Sequence, residues 1–427
     1  MTVTYDPSDP AYLDEADLRA ELTRVFDLCH GCRLCWNLCP SFPTLFDFVD
    51  AHDGDAAAMT PAEQDKVVEE CYQCKLCYVK CPYVPPHEWQ LDFPRLMLRA
   101  TAVAASKRRV DLNAEVMGRT DLVGRLGSML APLANRVVGS PGSFARRAME
   151  RVGGPAAERI LPPYAKQRFS TWFRKRSAAT PAGARGSVAI FATCLVEYQQ
   201  PVIGRDLVRV YERNGIGCTL PEGQVCCGMP WLDAGRVQPF LEQGARNVRV
   251  LAEAVRQGRD VVVPQPTCGY VLKKEYPEYL KTDDARLVAS HTYDAAEYLI
   301  KVHRERGGLD TDFTGKVPER VTWHVPCHLR AQNIGQKSRD LMQLTGAKVT
   351  VVEKCSGIDG TWGYQPRNYD LARKVAQPMK EAIEKAAGDA IAGDCVLANT
   401  AITQETGAVP LHPISLVARA YGIPEEE

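Results

Sequence analysis

The chain has 427 residues, 45% hydrophobic and 24% charged, with 52 Lys+Arg against 52 Asp+Glu and 16 cysteines. These proportions exclude a disordered, collagenous or disulfide-stapled miniature protein, and the length suggests two or three domains. The neutral total is a sum of unlike parts: residues 1–94 carry 6 basic and 17 acidic side chains, residues 95–185 carry 18 and 5, and the remainder is nearly balanced. An acidic head joined to a basic middle points to an interaction surface.

Met1 to Glu21 is acidic and lacks the apolar run of a secretory signal. The longest stretches without Asp, Glu, Lys or Arg, Leu34–Phe46 and Thr406–Ala418, are 13 residues each and are broken by Pro40, Pro43, Pro410 and Pro413. A spanning helix needs about 20 apolar residues. The expectation is a cytoplasmic protein that does not cross a membrane. In that setting cysteines act as ligands or reactive thiols rather than as disulfides.

Asp14 to Leu28 has helical character and leads into Cys29-His-Gly-Cys32-Arg-Leu-Cys35-Trp-Asn-Leu-Cys39-Pro40. The same C-x2-C-x2-C-x3-C-P pattern returns as Cys71, Cys74, Cys77, Cys81 and Pro82, every cysteine at an offset of 42. This is the bacterial ferredoxin pattern, in which each run gives three thiolates to one cubane and its fourth to the other. It assigns Cys29, Cys32, Cys35 and Cys81 to one [4Fe–4S] cluster, and Cys71, Cys74, Cys77 and Cys39 to a second. A pair of four-cysteine zinc sites is the alternative, but zinc ribbons do not use a third cysteine at x2 and a fourth at x3-Pro. Between the runs, Thr60-Pro61-Ala62-Glu63 reads as an N-cap, a proline at N1 and a capping glutamate. Residues 1–94 are therefore expected to be a helical ferredoxin domain, with His30 and His52 at the surface or behind the ligands.

Residues 95–185 contain no cysteine. Arginine-rich patches alternate there with apolar groups: Lys107-Arg108-Arg109, Leu126–Leu130, Arg146-Arg147 and Phe169 to Arg176. A basic helical region of this kind suits peripheral docking on an anionic membrane surface or a partner protein, or serves as a solvated connector. Nucleic acid has no zinc-finger, RNP or helix-turn-helix signature to support it. Glycine and proline at 152–163 and 181–186 mark loops, the second a domain boundary.

From residue 187 strand and helix signals alternate. Val188 to Cys194 is an apolar run ending on a cysteine, amphipathic helices are expected near 201–214 and 234–257, and Val261–Val263 reads as a strand. The cysteines here are Cys194, the Cys226-Cys227-Gly228 turn and Cys268. The layout repeats: Val321 to Cys327 matches the first run, Cys355-Ser356-Gly357 the turn and Cys395 the last position, at offsets of 133, 129 and 127. Two copies of one module are thus expected, at 186–310 and 311–427, with thiols at the carboxyl ends of parallel strands. Cys218 fits neither copy and reads as a buried apolar residue.

The paired modules resemble the cysteine-rich CCG domains of heterodisulfide reductase B subunits. With two ferredoxin runs ahead of them the chain is similar to the iron–sulfur oxidoreductase family that includes the C subunits of anaerobic glycerol-3-phosphate dehydrogenase. Pro326-Cys-His-Leu-Arg330, Cys355-Ser-Gly-Ile-Asp-Gly-Thr-Trp-Gly363 and His412-Pro413 carry the likeness. The chain departs from it where a CxxC should end each module: Val271 follows Cys268, Ala398 follows Cys395, and Ser356 replaces one cysteine of the second pair. The resemblance implies an α/β protein with a helical N-terminal domain, in which a two-cluster ferredoxin domain precedes two repeated CCG α/β modules. It implies cofactor binding by Cys194, Cys226, Cys227 and Cys268, enough for a third iron–sulfur cluster. It implies the same for Cys327, Cys355 and Cys395, which would need His324, His328 or Asp394 to complete a site. Asp359 either orients a ligand or caps a turn.

No phosphate-binding glycine loop and no G-x-G-x-x-G after a strand is present, so no nucleotide or flavin site is expected. The leading expectation is an electron-transfer subunit rather than a self-contained enzyme, fed by a flavoprotein dehydrogenase and delivering to quinone or another acceptor. Within it, residues 95–185 would make peripheral contact with the inner face of the cell membrane. A thiol–disulfide reductase using the CCG cysteines is the alternative, and a cluster-stabilised scaffold or redox sensor the third reading.

Overall fold

A computed structural model of the chain describes residues 2–107, 112–176 and 185–425. The head is helical, as its sequence requires. Asp14 caps α1 (Glu15–Cys32) by accepting from the Asp17 N–H, and Glu15 and Asp17 place negative charge on its first turn. Leu18, Leu22, Val25 and Phe26 recur at helical spacing and are buried. The helix runs four residues beyond the expected Leu28 and stops where Arg33 turns left-handed at φ 51°. α2 (Ser41–Ala51) follows Pro40, and α3 (Pro61–Glu69) opens on the anticipated capping box of Thr60 and Glu63. After the short α4 (Leu76–Lys80), Asp92 caps α5 (Phe93–Ser106).

Helix α5 crosses the expected boundary at residue 94. Its Leu96, Met97, Ala100 and Val103 close the same core as Leu22, Phe26, Phe42 and Phe46. Arg99 is wholly buried against the Tyr12 and Ala11 carbonyls and Asp17, so this arginine of the basic region is a structural part of the head.

The basic middle continues through α6 (Leu112–Gly118), α7 (Thr120–Met129), α8 (Ala131–Val138), α9 (Phe144–Arg151) and α10 (Phe169–Lys175). It is bound down over the cysteine-rich modules rather than left as a free connector. Trp231 lies on Gly118 and Tyr198 on Gly124, where a methyl group would overlap either ring. Of the expected basic patches, Arg108 and Arg109 lie outside the described residues, as do 181–184 of the boundary loop. Arg146 is buried and donates to the Val138, Ala156 and Arg159 carbonyls, and Arg159 reaches Gly363 O at 3.0 Å. Phe169 packs into the modules' core. Leu126, Met129 and Leu130, in contrast, remain exposed.

The first module alternates β1 (Ser187–Ile190), α11 (Cys194–Tyr198), α12 (Pro201–Arg213), β2 (Gly217–Thr219), α13 (Met229–Asp233), α14 (Val237–Arg256), β3 (Asp260–Val263), α15 (Pro266–Tyr270), α16 (Tyr276–Leu280), α17 (Asp283–Ser290), β4 (Thr292–Asp294) and α18 (Ala295–Glu305). The second has β5 (Arg320–His324), α19 (Cys327–Ala331), α20 (Lys337–Gln343), β6 (Lys348–Val352), α21 (Tyr369–Ala386), β7 (Ala390–Gly393), α22 (Val396–Thr406) and α23 (Pro413–Ala420). All pairings are parallel, in the orders β2-β1-β3-β4 and β6-β5-β7. Leu411 bridges Ala392 where a fourth strand would lie, so the second module repeats the first with one edge reduced. The modules share a core: Val188, Leu207 and Tyr298 of the first pack in one cluster with Leu341, Ile414 and Val417 of the second. Among the described residues no helix is long and apolar enough to cross a membrane.

The cysteines do not terminate the strands. β1 and β5 stop at Ile190 and His324, and Cys194 and Cys327 open the helices that follow. They stand in the crevices outside the carboxyl ends of the sheets, where the strand order reverses and α/β folds hold ligands.

Candidate metal and cluster centres

In the head, the last turn of α1 carries Cys29 and Cys32, and the left-handed Arg33 swings the chain so that Cys35 faces them. Gln73 and Lys75, with φ of 57° and 64°, do the same for the second run. The result is two separate cavities. One is lined by Cys29, Cys32, Cys35 and Cys81, the other by Cys39, Cys71, Cys74 and Cys77, with Phe42 on the wall of both. Phe42 stacks on Phe93 at 4.7 Å between ring centres, which fixes that partition. Each cavity thus gathers the four thiols expected of it, including the exchanged fourth cysteine.

Burial pushes the Cys29, Cys39, Cys74 and Cys77 thiols well above the usual range, with neighbouring sulfurs adding to the effect. Cys35 and Cys71 are pushed up to about 11, again chiefly by burial. Buried thiols gathered around one space are poor thiolates until a metal displaces their protons. An all-sulfur set of four suits a [4Fe–4S] cubane. His30 bonds Asp50 at 2.8 Å and His52 bonds Glu63 at 3.1 Å, so neither faces a cavity.

The first cavity is at the surface. Cys32 is exposed, Leu34 lines the cavity with it, and the exposed Trp36 and Trp89 pack on Phe46 and Tyr83 of its wall. The second faces inward. Cys74 and Tyr72 pack with Trp362 and Ala372, against which Cys39, Cys327 and Cys355 also rest.

In the first module Cys194 Sγ lies 4.0 Å from Cys226 Sγ, and side-chain contacts continue from Cys226 to Cys227 and from Cys227 to Cys268. The four expected residues therefore do converge. The turn between them is held from several directions. Asn247 accepts from the Val225 N–H at 2.9 Å, and Tyr276 donates to the Cys227 carbonyl at 2.9 Å. Gly228 adopts φ +86°, and a Cβ there would sit 2.9 Å from Phe240. Gly357 in the second copy has φ +68°, with a Cβ only 2.0 Å from the Ala372 carbonyl. Both turns therefore require glycine. Hydrogen bonds from Cys194 and Cys227 hold the Cys226 thiol well below the ordinary range, while that same bond and burial push Cys194 up.

Asp121, on α7 of the basic middle, accepts the Cys226 N–H at 2.8 Å and the Tyr198 hydroxyl at 3.1 Å. No local pattern marks Asp121, because its partner is 105 residues away. An open cavity beside Cys194 and Cys226 is lined by Arg125, Arg168, Arg174 and Glu197. Thr193 holds φ 64° immediately before Cys194, an uncommon conformation for a β-branched residue, and caps α11 through the Val196 N–H.

The second module divides its cysteines. Cys327 and Cys355 rest against the inner ferredoxin cavity, whereas Cys395 packs among Ile358, Tyr364, Ala398 and Ala401. His324 bonds the Lys354 carbonyl at 2.9 Å, and Asp394 accepts from Trp323 Nε1 at 2.7 Å and from Ser338. Both are thereby engaged in holding β5 and β7. His328 instead faces Asp359, and Cys327 Sγ lies 3.2 Å from Asp359 Oδ2. Cys218 lies on β2, partly buried against the shared core, as its isolation in sequence suggested.

Lys75 and Glu275, both about 1% exposed, form an ion pair of 3.1 Å between the head and the first module. Neither residue stands out in the sequence. A cleft of about 440 Å³ at the junction of head, basic middle and both modules is lined by Cys71, Gln73, Asp233, Asp359 and Trp362 among others.

Two family models match the chain. A cysteine-rich domain matches residues 188–273 and 321–399, and a 4Fe-4S dicluster domain matches residues 21–82. The C subunit of the anaerobic glycerol-3-phosphate dehydrogenase of Escherichia coli (strain K12) is 30% identical over 73% of this chain and 78% of its own. The B subunit of the fumarate reductase (CoM/CoB) of Methanothermobacter marburgensis is 30% identical over 49% of this chain and 40% of its own. Lactate utilization protein A of Geobacillus thermodenitrificans is 28% identical over 49% of this chain and 87% of its own.

Proposed function

The chain belongs to the cysteine-rich-domain iron–sulfur family that contains the anaerobic glycerol-3-phosphate dehydrogenase C subunits, and from that premise we propose that it conducts electrons from a flavoprotein dehydrogenase, of glycerol-3-phosphate or similar hydroxy-acid type, to quinone or another acceptor. The observation that carries the reading is the pair of four-cysteine cavities separated by Phe42. One cavity reaches the surface at Cys32 and the other turns inward against the second module. Two [4Fe–4S] clusters held there by Cys29, Cys32, Cys35, Cys81 and by Cys39, Cys71, Cys74, Cys77 would supply one-electron chemistry.

What the chain's own residues do follows from position. Leu34, Trp36 and Trp89 offer the partner an apolar landing beside the outer cavity, within an acidic head that steers a basic surface toward it. Tyr72 and Trp362 cover the inner cavity on the side of the second module, and Phe42 closes it on the side of the outer cavity. Cys194, Cys226, Cys227 and Cys268 would hold a third iron–sulfur cluster, a reading supported by their convergence beside an arginine-lined opening that would admit an acceptor. The exposed apolar side chains of α6 to α9 lie among Arg119, Arg125, Arg136 and Arg147, a composition suited to peripheral contact with an anionic membrane.

Anaerobic purification with iron and sulfide quantification and EPR tests the reading. About 8 irons correspond to the ferredoxin pair and about 12 to a third cluster. Mixing with the purified flavoprotein should then reduce quinone analogues; zinc in place of iron would overturn the proposal. The lowered Cys226 thiol beside an open cavity favours a second reading, thiol–disulfide reduction. In that case Cys227→Ala abolishes reductase turnover while total iron stays unchanged, whereas a large loss of iron assigns the residue as a ligand.

A further inference from the structure

We propose that Cys327, His328 and Asp359 bind one divalent transition-metal ion, zinc or iron(II), at a site separate from the iron–sulfur clusters. The three donor atoms lie within 4.8 Å of one another. Cys327 Sγ is 3.2 Å from Asp359 Oδ2, and His328 Nδ1 is 3.7 Å from Asp359 Oδ1.

The histidine is set for ligation by its other nitrogen. His328 Nε2 lies 3.0 Å from the Gln73 carbonyl, an acceptor with no proton to give, so Nε2 carries the hydrogen. Nδ1 then presents its lone pair on the side of Asp359, with the Thr267 hydroxyl at 2.9 Å as its present donor. An imidazole that donates to a backbone carbonyl through one nitrogen and carries its lone pair on the other is the usual arrangement of a metal-bound histidine, and an ion would replace the Thr267 hydrogen on Nδ1.

The backbone holds all three donors. Cys327 and His328 open α19 directly after Pro326, outside the carboxyl end of β5. Asp359 lies in the loop after β6, between Gly357 and Gly360, both at positive φ. His328 and Asp359 are buried, and Asp359 also borders the central cleft. A thiolate, an imidazole and a carboxylate suit zinc or iron(II) and not calcium or magnesium, and three protein ligands leave a fourth position for water or a small molecule.

The second module has lost the donors of a cluster and kept those of a single ion. Ser356 stands in the pair and Ala398 in the CxxC, and Cys395 packs into an apolar group. The inference does not depend on the electron-transfer reading, because cluster spectra and the metal count are separate measurements.

The full-length protein, purified anaerobically, should contain iron plus zinc exceeding acid-labile sulfide by about one ion per chain, since a [4Fe–4S] cluster contributes equal iron and sulfide. Added Co²⁺ should exchange into the site and give thiolate-to-cobalt charge-transfer absorption. Asp359→Asn and His328→Ala should each abolish the excess and the cobalt band while the cubane EPR signals persist; Cys395→Ser should retain both. Metal equal to sulfide in the unaltered chain, with no cobalt absorption, overturns the proposal without reference to any variant. So does an excess that survives Asp359→Asn and His328→Ala, or one that Cys395→Ser removes.

Discussion

Cys39 sits in the first cysteine run, yet it lines the cavity of the second, with Cys71, Cys74 and Cys77. Cys39→Ser should therefore remove the inner cluster and spare the outer one, lowering iron from about 8 to about 4 per chain on the two-cluster count. EPR of the variant checks it: survival of both cubane signals would reject the exchanged pairing. Asp233 supplies a second test at this scale. Its Oδ1 is sealed from solvent with no hydrogen-bond partner among the described residues, and burial pushes its carboxyl up to about 7 against the opposing effect of Lys75. The folded chain keeps a proton on Asp233 that the unfolded chain releases near pH 4, so folding takes up a proton between about pH 4 and 7. Its contribution to stability therefore falls as pH rises through that window. Asp233→Asn should raise the thermal midpoint relative to the unaltered chain at pH 8 and change it little at pH 5. Equal shifts at both pH values would contradict the assignment.

At the scale of elements, the basic middle differs most from its expectation. Part of its basic and apolar content is structural: Arg99, Arg146 and Arg159 are buried on carbonyls, and Phe169 is core. What remains outward is the run of α6 to α8, with Leu112, Val116, Leu122, Leu126, Met129, Leu130 and Leu133 exposed at helical spacing. Exposed apolar side chains on three successive helices, flanked by exposed arginines, should bind anionic vesicles through both contributions. Replacing Leu126 and Leu133 with Glu should abolish co-sedimentation with phosphatidylglycerol-rich vesicles and leave cluster content intact. Equal binding to neutral and anionic vesicles would argue against an electrostatic share.

Across the whole molecule, the head is locked to the first module by the buried Lys75–Glu275 pair, with Arg95 also 3.6 Å from Glu275. Lys75→Met leaves Glu275 buried with only the longer contact. Loss of one partner of a buried pair costs about 3–5 kcal/mol, whereas replacing both by apolar groups is often neutral. A lowered denaturation midpoint in Lys75→Met, restored by adding Glu275→Leu, would confirm that the pair is structural. An unchanged midpoint in the single variant would show that the junction does not depend on it.

The eight ferredoxin cysteines, the capping box at Thr60 and the module repeat were legible in the residues because each rests on local spacing: three or four positions along one turn, or a pattern returning at a fixed offset. The convergence of Cys194, Cys226, Cys227 and Cys268 was legible for the same reason, since successive parallel strands deliver their carboxyl ends to one edge. Asp121 beneath Cys226, Lys75 against Glu275 and Gln73 behind His328 carry no such mark. Their partners lie 105, 200 and 255 residues away, and only chain packing makes them neighbours. Sequence alone determined which residue types were available and how each short run would bend. The tertiary structure decided which runs face one another, because burial and pairing of polar groups depend on what surrounds a side chain and not on what precedes it.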